Sequence, residues 1–151
     1  MVLPPDETID ESWEAPQSVG HPVLDDDHAK LWRLTLSFRQ AAHAGKPSQA
    51  MDLFECLMTG LQAHFLREEL LLSGHDAAGL DSHRQEHNRV LRQFMLIGSE
   101  SFLFLRSWPG LAGDLACSLM LASLAHDLSE IAGFPLSTPL CPLSFSEIPA
   151  Q

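Results

Sequence analysis

Apolar residues recur at helical spacing along most of this chain, and the repeat breaks at a few points marked by proline and glycine. The spacing predicts a first helix starting at Asp25–Asp27, acids suited to a cap and first turn. It runs through Leu31, Trp32, Leu34 and Phe38 and stops at Gly45, a residue suited to the left-handed end of a helix. Ser48 can cap a second helix, which carries the stripe Phe54, Leu57, Leu61 and runs to about Leu72. Gly74, Asp76 and Gly79 mark a loop. A third helix begins near Asp81–Ser82, where Ser82 and Gln85 have capping-box spacing, and continues to about Ile97. From Gly98 to Pro109 the pattern fits a short helix, a strand-like run or an extended segment, and the stretch is read as an insertion. A fourth helix runs from about Leu111 to Ala132 and ends at Gly133 and Pro135.

Four helices joined mostly by short connections predict an all-α, up-down-up-down four-helix bundle. The expected divisions are an extended N-terminal arm over 1–24, the bundle over 25–133 and an irregular, proline-rich tail over 134–151. Pro4, Pro5, Pro16 and Pro22 argue against a long helix in the arm.

Composition sharpens this picture. With 151 residues, 45% hydrophobic and 19% charged, the chain fits one domain with a real core rather than wholesale disorder. The net charge is −11, and residues 1–27 contribute −8 of it through eight acids and no Lys or Arg. Phosphate binding needs clustered Lys and Arg, so neither nucleic acid nor an anionic membrane is expected as a partner. No apolar run reaches the ~18 residues that span a bilayer, and no apolar leader segment is visible. Cys56, Cys117 and Cys141 form no CxxC, which leads to the expectation of inert thiols in a reducing cytoplasm.

Candidate chemistry lies in the histidines, eight in all. His64 and Glu68, His83 and His87, and His126 and Glu130 are i, i+4 pairs on the second, third and fourth helices. His28 lies in the first turn of the first helix. An i, i+4 pair shares one helix face. If these faces turn inward, five imidazoles and two carboxylates converge inside the bundle. Buried carboxylates need a compensating charge, and two adjacent cations would supply it. Neutral imidazole with carboxylate suits iron, with manganese or zinc as alternatives. Asp127 points about 100° away from His126 on a helix, so it is expected on a solvated face. Asp25 is expected as a helix cap, Glu69 in solvent or beside a ligand, and His21, His43 and His75 at the surface.

These residues also resemble the bacterial hemerythrin family, over roughly residues 13–132. In the stretch WEAPQSVGHPVLDDDHAKLW, Trp13, Val19, Gly20, Asp25, His28, Leu31 and Trp32 stand where that family's opening motif has their counterparts. HFLREE (64–69) resembles its second-helix motif and HRQEH (83–87) its third. The family's last motif is a His followed five residues later by Asp; here Ile131 stands at that position and Glu130 follows His126 by four. The resemblance implies two irons bridged by an oxo or hydroxo group. One would take His83, His87 and His126, the other His28 and His64, with Glu68 and Glu130 bridging. It implies O₂ binding for carriage, storage or sensing at an open position on the second iron. Trp32, Leu61, Ala122 and Ser123 are the candidate pocket walls, one turn from the ligands. Because Ala122 and Ser123 are small and Ser123 is polar, the expected pocket is roomy, which favours the alternative of a di-iron oxidoreductase acting on peroxide or nitric oxide. No dinucleotide fingerprint appears, so such an enzyme would need an external reductant.

Overall fold

The computed structural model describes residues 17–74, 77–107 and 109–131. Four helices hold nearly all of them: α1 (Pro22–His43), α2 (Pro47–Ser73), α3 (Ala77–Ser107) and α4 (Pro109–Ile131). No strand occurs among the described residues. Each helix packs against its neighbour in chain order, and α4 returns against α1 to close the ring. The architecture is the all-α four-helix bundle expected from the periodicity. Arm residues 1–16 and the tail from 134 lie outside the described residues.

Helix boundaries differ from expectation at several points: α2 starts at Pro47, ahead of the expected cap Ser48, and α3 starts at Ala77, so Gly79 and Ser82, expected as loop and cap, lie inside it. α1 starts at Pro22, not at Asp25. Proline is tolerated in the first turn because its missing N–H would have had no intrahelical partner there. Asp25 therefore sits inside the first turn, and its carboxylate accepts from Ser18 Oγ (2.6 Å) and the Val19 N–H (2.8 Å). It ties the incoming chain down rather than capping from outside. This fold-back also buries His21, which was expected at the surface.

A further difference is the 98–107 stretch, which continues α3 rather than forming a separate short helix, a strand-like run or an extended segment. Gly98 does not break the helix; it lets α3 approach α2. A Cβ at Gly98 would stand 2.5 Å from Phe54 Cε1. Gly113 plays the same part on α4, where a Cβ would lie 2.7 Å from the Cα of Arg39. The expected stop at Gly45 is found, with φ +67° and the Lys46 N–H donating to Ala41 O at 3.0 Å.

The core is split. A large apolar cluster includes Leu31, Trp32, Phe38, Phe54, Leu57, Leu61, Val90, Phe94, Met120 and Leu124. A small one joins Val19, Leu24, Leu71 and Ile131. On α1, α2 and α4 the residues between these two clusters in sequence include His28, Glu68 and Asp127, and His64 lies one turn before Glu68; all four are buried. A polar layer is thus sealed between two apolar ones. α4 alone among the described helices is long and apolar enough to cross a membrane, by length and composition only. Its apolar residues Ala116, Cys117, Met120, Leu124 and Ile131 are buried in the bundle.

Candidate metal centre

Helical periodicity brings the polar layer together. Glu68 is one turn beyond His64 on α2, and His87 one turn beyond His83 on α3, so each pair shares a face. His28 comes from α1 and Asp127 from α4. Donor atoms from His28, His64, Glu68 and Asp127 form one compact group. Atoms from Glu68, His83, His87 and Asp127 form a second. Both carboxylates belong to both groups.

Distances show how Glu68 is shared. Its Oε1 lies 3.1 Å from His64 Nε2 and 3.8 Å from His28 Nε2. Its Oε2 lies 3.1 Å from His83 Nε2 and 3.0 Å from His87 Nε2. Each oxygen therefore serves one histidine pair. Asp127 Oδ2 lies 3.2 Å from both His28 Nε2 and His64 Nε2, whose nitrogens are 3.1 Å apart.

This donor set fits metal. Ligand bonds of about 2.1 Å set neighbouring donors about 3.0–3.4 Å apart around one ion. The observed spacings bracket that range. Asp127 Oδ1 is also buried without a hydrogen-bond partner, a costly arrangement for a carboxylate unless a cation compensates it.

Electrostatics inside the cluster are strongly coupled. Burial opposes a charge on His64, but Glu68 and hydrogen bonds with Asp127, Asp27 and Glu68 hold its pKa well above the usual imidazole value. His28 is raised in the same way against burial by Asp127 and Glu68, and His83 by Glu68. Burial would raise Glu68, yet His64 and the hydrogen bonds from His28, His64 and His83 hold it well below the usual carboxylate range.

Two histidines are oriented from behind. His64 Nδ1 faces Asp27 Oδ2 at 3.3 Å, and Arg67 clamps both oxygens of Asp27 at 2.7 and 2.9 Å. His87 Nδ1 faces Glu69 Oε1 at 2.8 Å, and Arg84 reaches Glu69 Oε2 at 3.1 Å. Phe65 stacks on the His87 ring with centroids 3.8 Å apart.

Of the seven residues expected as ligands, the structure gathers His28, His64, Glu68, His83 and His87. Neither His126 nor Glu130 joins either group. Glu130 is exposed, and the carboxylate that α4 adds to both groups is Asp127, which is 1% exposed. The reason is helical. His126 and Glu130 share one face and Asp127 lies about 100° from His126, so the rotation of α4 that buries Asp127 leaves Glu130 in solvent and His126 half-buried. The inward face of α4 is set by Met120, Leu124 and Ile131, and Asp127 continues their stripe. His126 stacks beside His83 with centroids 5.5 Å apart, its Nε2 buried without a hydrogen-bond partner, and it borders a polar cleft with Arg89 and Arg92.

The expected pocket walls also separate. Trp32 and His28 line a cleft of about 410 Å³ that also touches Ser18 and Asp25. Leu61 and Ser123 are buried, and Ala122 faces solvent. The pairing of Asp27 with Arg67 is not legible in the sequence, where Asp27 reads only as a cap or first-turn acid, because it depends on packing between α1 and α2. Cys117 is a free thiol that burial pushes up to about 11, consistent with an inert group. Compared with protein-family models, curated proteins and solved structures, the chain has no match.

Proposed function

We propose that this chain is a non-haem di-iron protein of hemerythrin-like type that binds O₂, for carriage, storage or sensing. The observation that carries the reading is Glu68, whose two oxygens each face a different histidine pair. His28 and His64 would hold one ion and His83 and His87 the other, with Glu68 and Asp127 shared. When bound, the metal pair would supply two electrons and open positions for a small oxidant. The two apolar clusters on either side exclude water from the polar layer. The cleft lined by Trp32 reaches His28, which makes it the route for a diatomic ligand.

A second reading is an oxidoreductase acting on peroxide or nitric oxide with an external reductant. The donor count favours it. Each ion would have two histidines and two shared carboxylates, fewer protein donors than six-coordinate iron takes. Counting back five residues from Asp127, as in the resembled family's last motif, reaches Ala122 rather than a histidine. Both ions would then keep open positions, which suits turnover as well as carriage. Adding O₂ to the anaerobically reduced protein separates the two. A reversible charge-transfer band supports carriage. Immediate irreversible oxidation, with turnover of added peroxide, supports the enzyme.

A further inference from the structure

The two halves of the centre are braced alike in design but differently in setting. In each half one histidine has a carboxylate behind its Nδ1, and that carboxylate is held by an arginine. The other histidine of each half, His28 or His83, has a buried Nδ1 with no partner. The Arg67–Asp27–His64 brace is sealed, with Arg67 and Asp27 each about 4% exposed. Its counterpart is open to water, with Arg84 49% and Glu69 21% exposed.

A carboxylate behind a ligand histidine fixes the tautomer, keeps the proton on Nδ1 and frees Nε2 for the ion. Such a brace commonly changes metal affinity by about 10- to 100-fold. The sealed brace acts in a low dielectric and is little affected by salt. The exposed brace is screened by ions, so its contribution falls as salt rises.

We infer that the centre binds its two ions unequally, with Asp27 the positioning residue that makes the His28–His64 half the tighter site. This rests on the two-metal reading of the cluster. Asp27 does not touch the ion; it acts through His64, and Arg67 keeps both of its oxygens in place.

The test is a Co²⁺ titration of the metal-stripped full chain, followed by cobalt absorption at low and high salt. Wild type is expected to take up two ions in two steps at least about tenfold apart, with the gap widening as salt rises. Asp27→Asn is expected to weaken the first step by about 10- to 100-fold and so close or reverse the gap. Glu69→Gln should weaken the second step alone. A purely structural role for Asp27 would lower both steps together, and that result overturns the inference. So do two equal, salt-independent steps in wild type. If Asp27→Asn does not fold, the wild-type salt dependence and the Glu69→Gln titration decide the matter. A wild type that takes up no cobalt overturns the two-metal reading as well, so the two failures are distinguishable.

Discussion

His64 Nε2 lies 3.2 Å from Asp127 Oδ2, although the residues are 63 positions apart in the chain and sit on α2 and α4. The contact sets Asp127, rather than Glu130, at the centre of the bundle. Asp127→Ala should reduce bound metal to one ion per chain or fewer, while Glu130→Ala should leave metal content at the wild-type value. Elemental analysis of both purified variants checks this. Equal losses in the two variants would contradict the geometry.

Glu68 is completely buried and faces four histidines. Glu68→Ala should abolish retention of both ions. It should also cost the metal-loaded protein about 3 kcal/mol or more, because buried histidines lose their counter-charge and the metal's contribution to folding disappears. His87→Ala should remove one ion and lower the melting temperature by a smaller amount. Thermal unfolding alongside metal analysis reads both effects. Unchanged melting with unchanged metal content would remove Glu68 from the centre.

The stability of the stripped protein and the gain it draws from metal should depend on pH in opposite directions. In the stripped protein His28, His64 and His83 are held above the ordinary imidazole value. Their stabilisation is complete below about pH 6.5 and is lost as pH rises through the raised values. Glu68 and Asp27 are held below their ordinary values, so their contribution is present above about pH 4.5 and is lost as pH falls through the lowered values. The stripped protein should therefore melt at a higher temperature near about pH 6 than near about pH 8.5. Metal needs neutral imidazole, so the gain on adding metal should grow over the same interval. Melting curves with and without Zn²⁺ at the two pH values measure this. A stripped protein that is firmer at the alkaline value would count against the charge arrangement.

Gly113 sits where α4 crosses α1. Alanine is the better helix former by about 1 kcal/mol, yet its Cβ would press on the Arg39 backbone. Gly113→Ala should therefore destabilise by about 1–3 kcal/mol, a drop of several degrees in melting temperature. A rise in melting temperature would show that the crossing has room to spare.

Much of the fold and of the site is legible in the sequence where one helix carries the signal alone. The i, i+4 pairs His64–Glu68 and His83–His87 need only helical geometry to share a face, and His28 needs only its place in the first turn of α1. The sequence alone favours His126 over Asp127, because His126 makes an i, i+4 pair with Glu130, yet that face of α4 is only partly turned inward. The correcting signal was present in the apolar stripe Met120, Leu124, Ile131, which Asp127 interrupts with one charge. Gly98 looks like a break in the sequence because the contact with Phe54 that it serves is tertiary. The Asp27–Arg67 clamp spans 40 residues and two helices, so no local spacing announces it.

The most direct measurement is elemental analysis of the purified protein together with its optical spectrum. Two irons per chain with oxo-bridge absorption, both lost in Glu68→Ala, are the expected result. Wild-type protein that carries no metal and takes none up when iron is supplied would contradict a di-iron centre in this bundle.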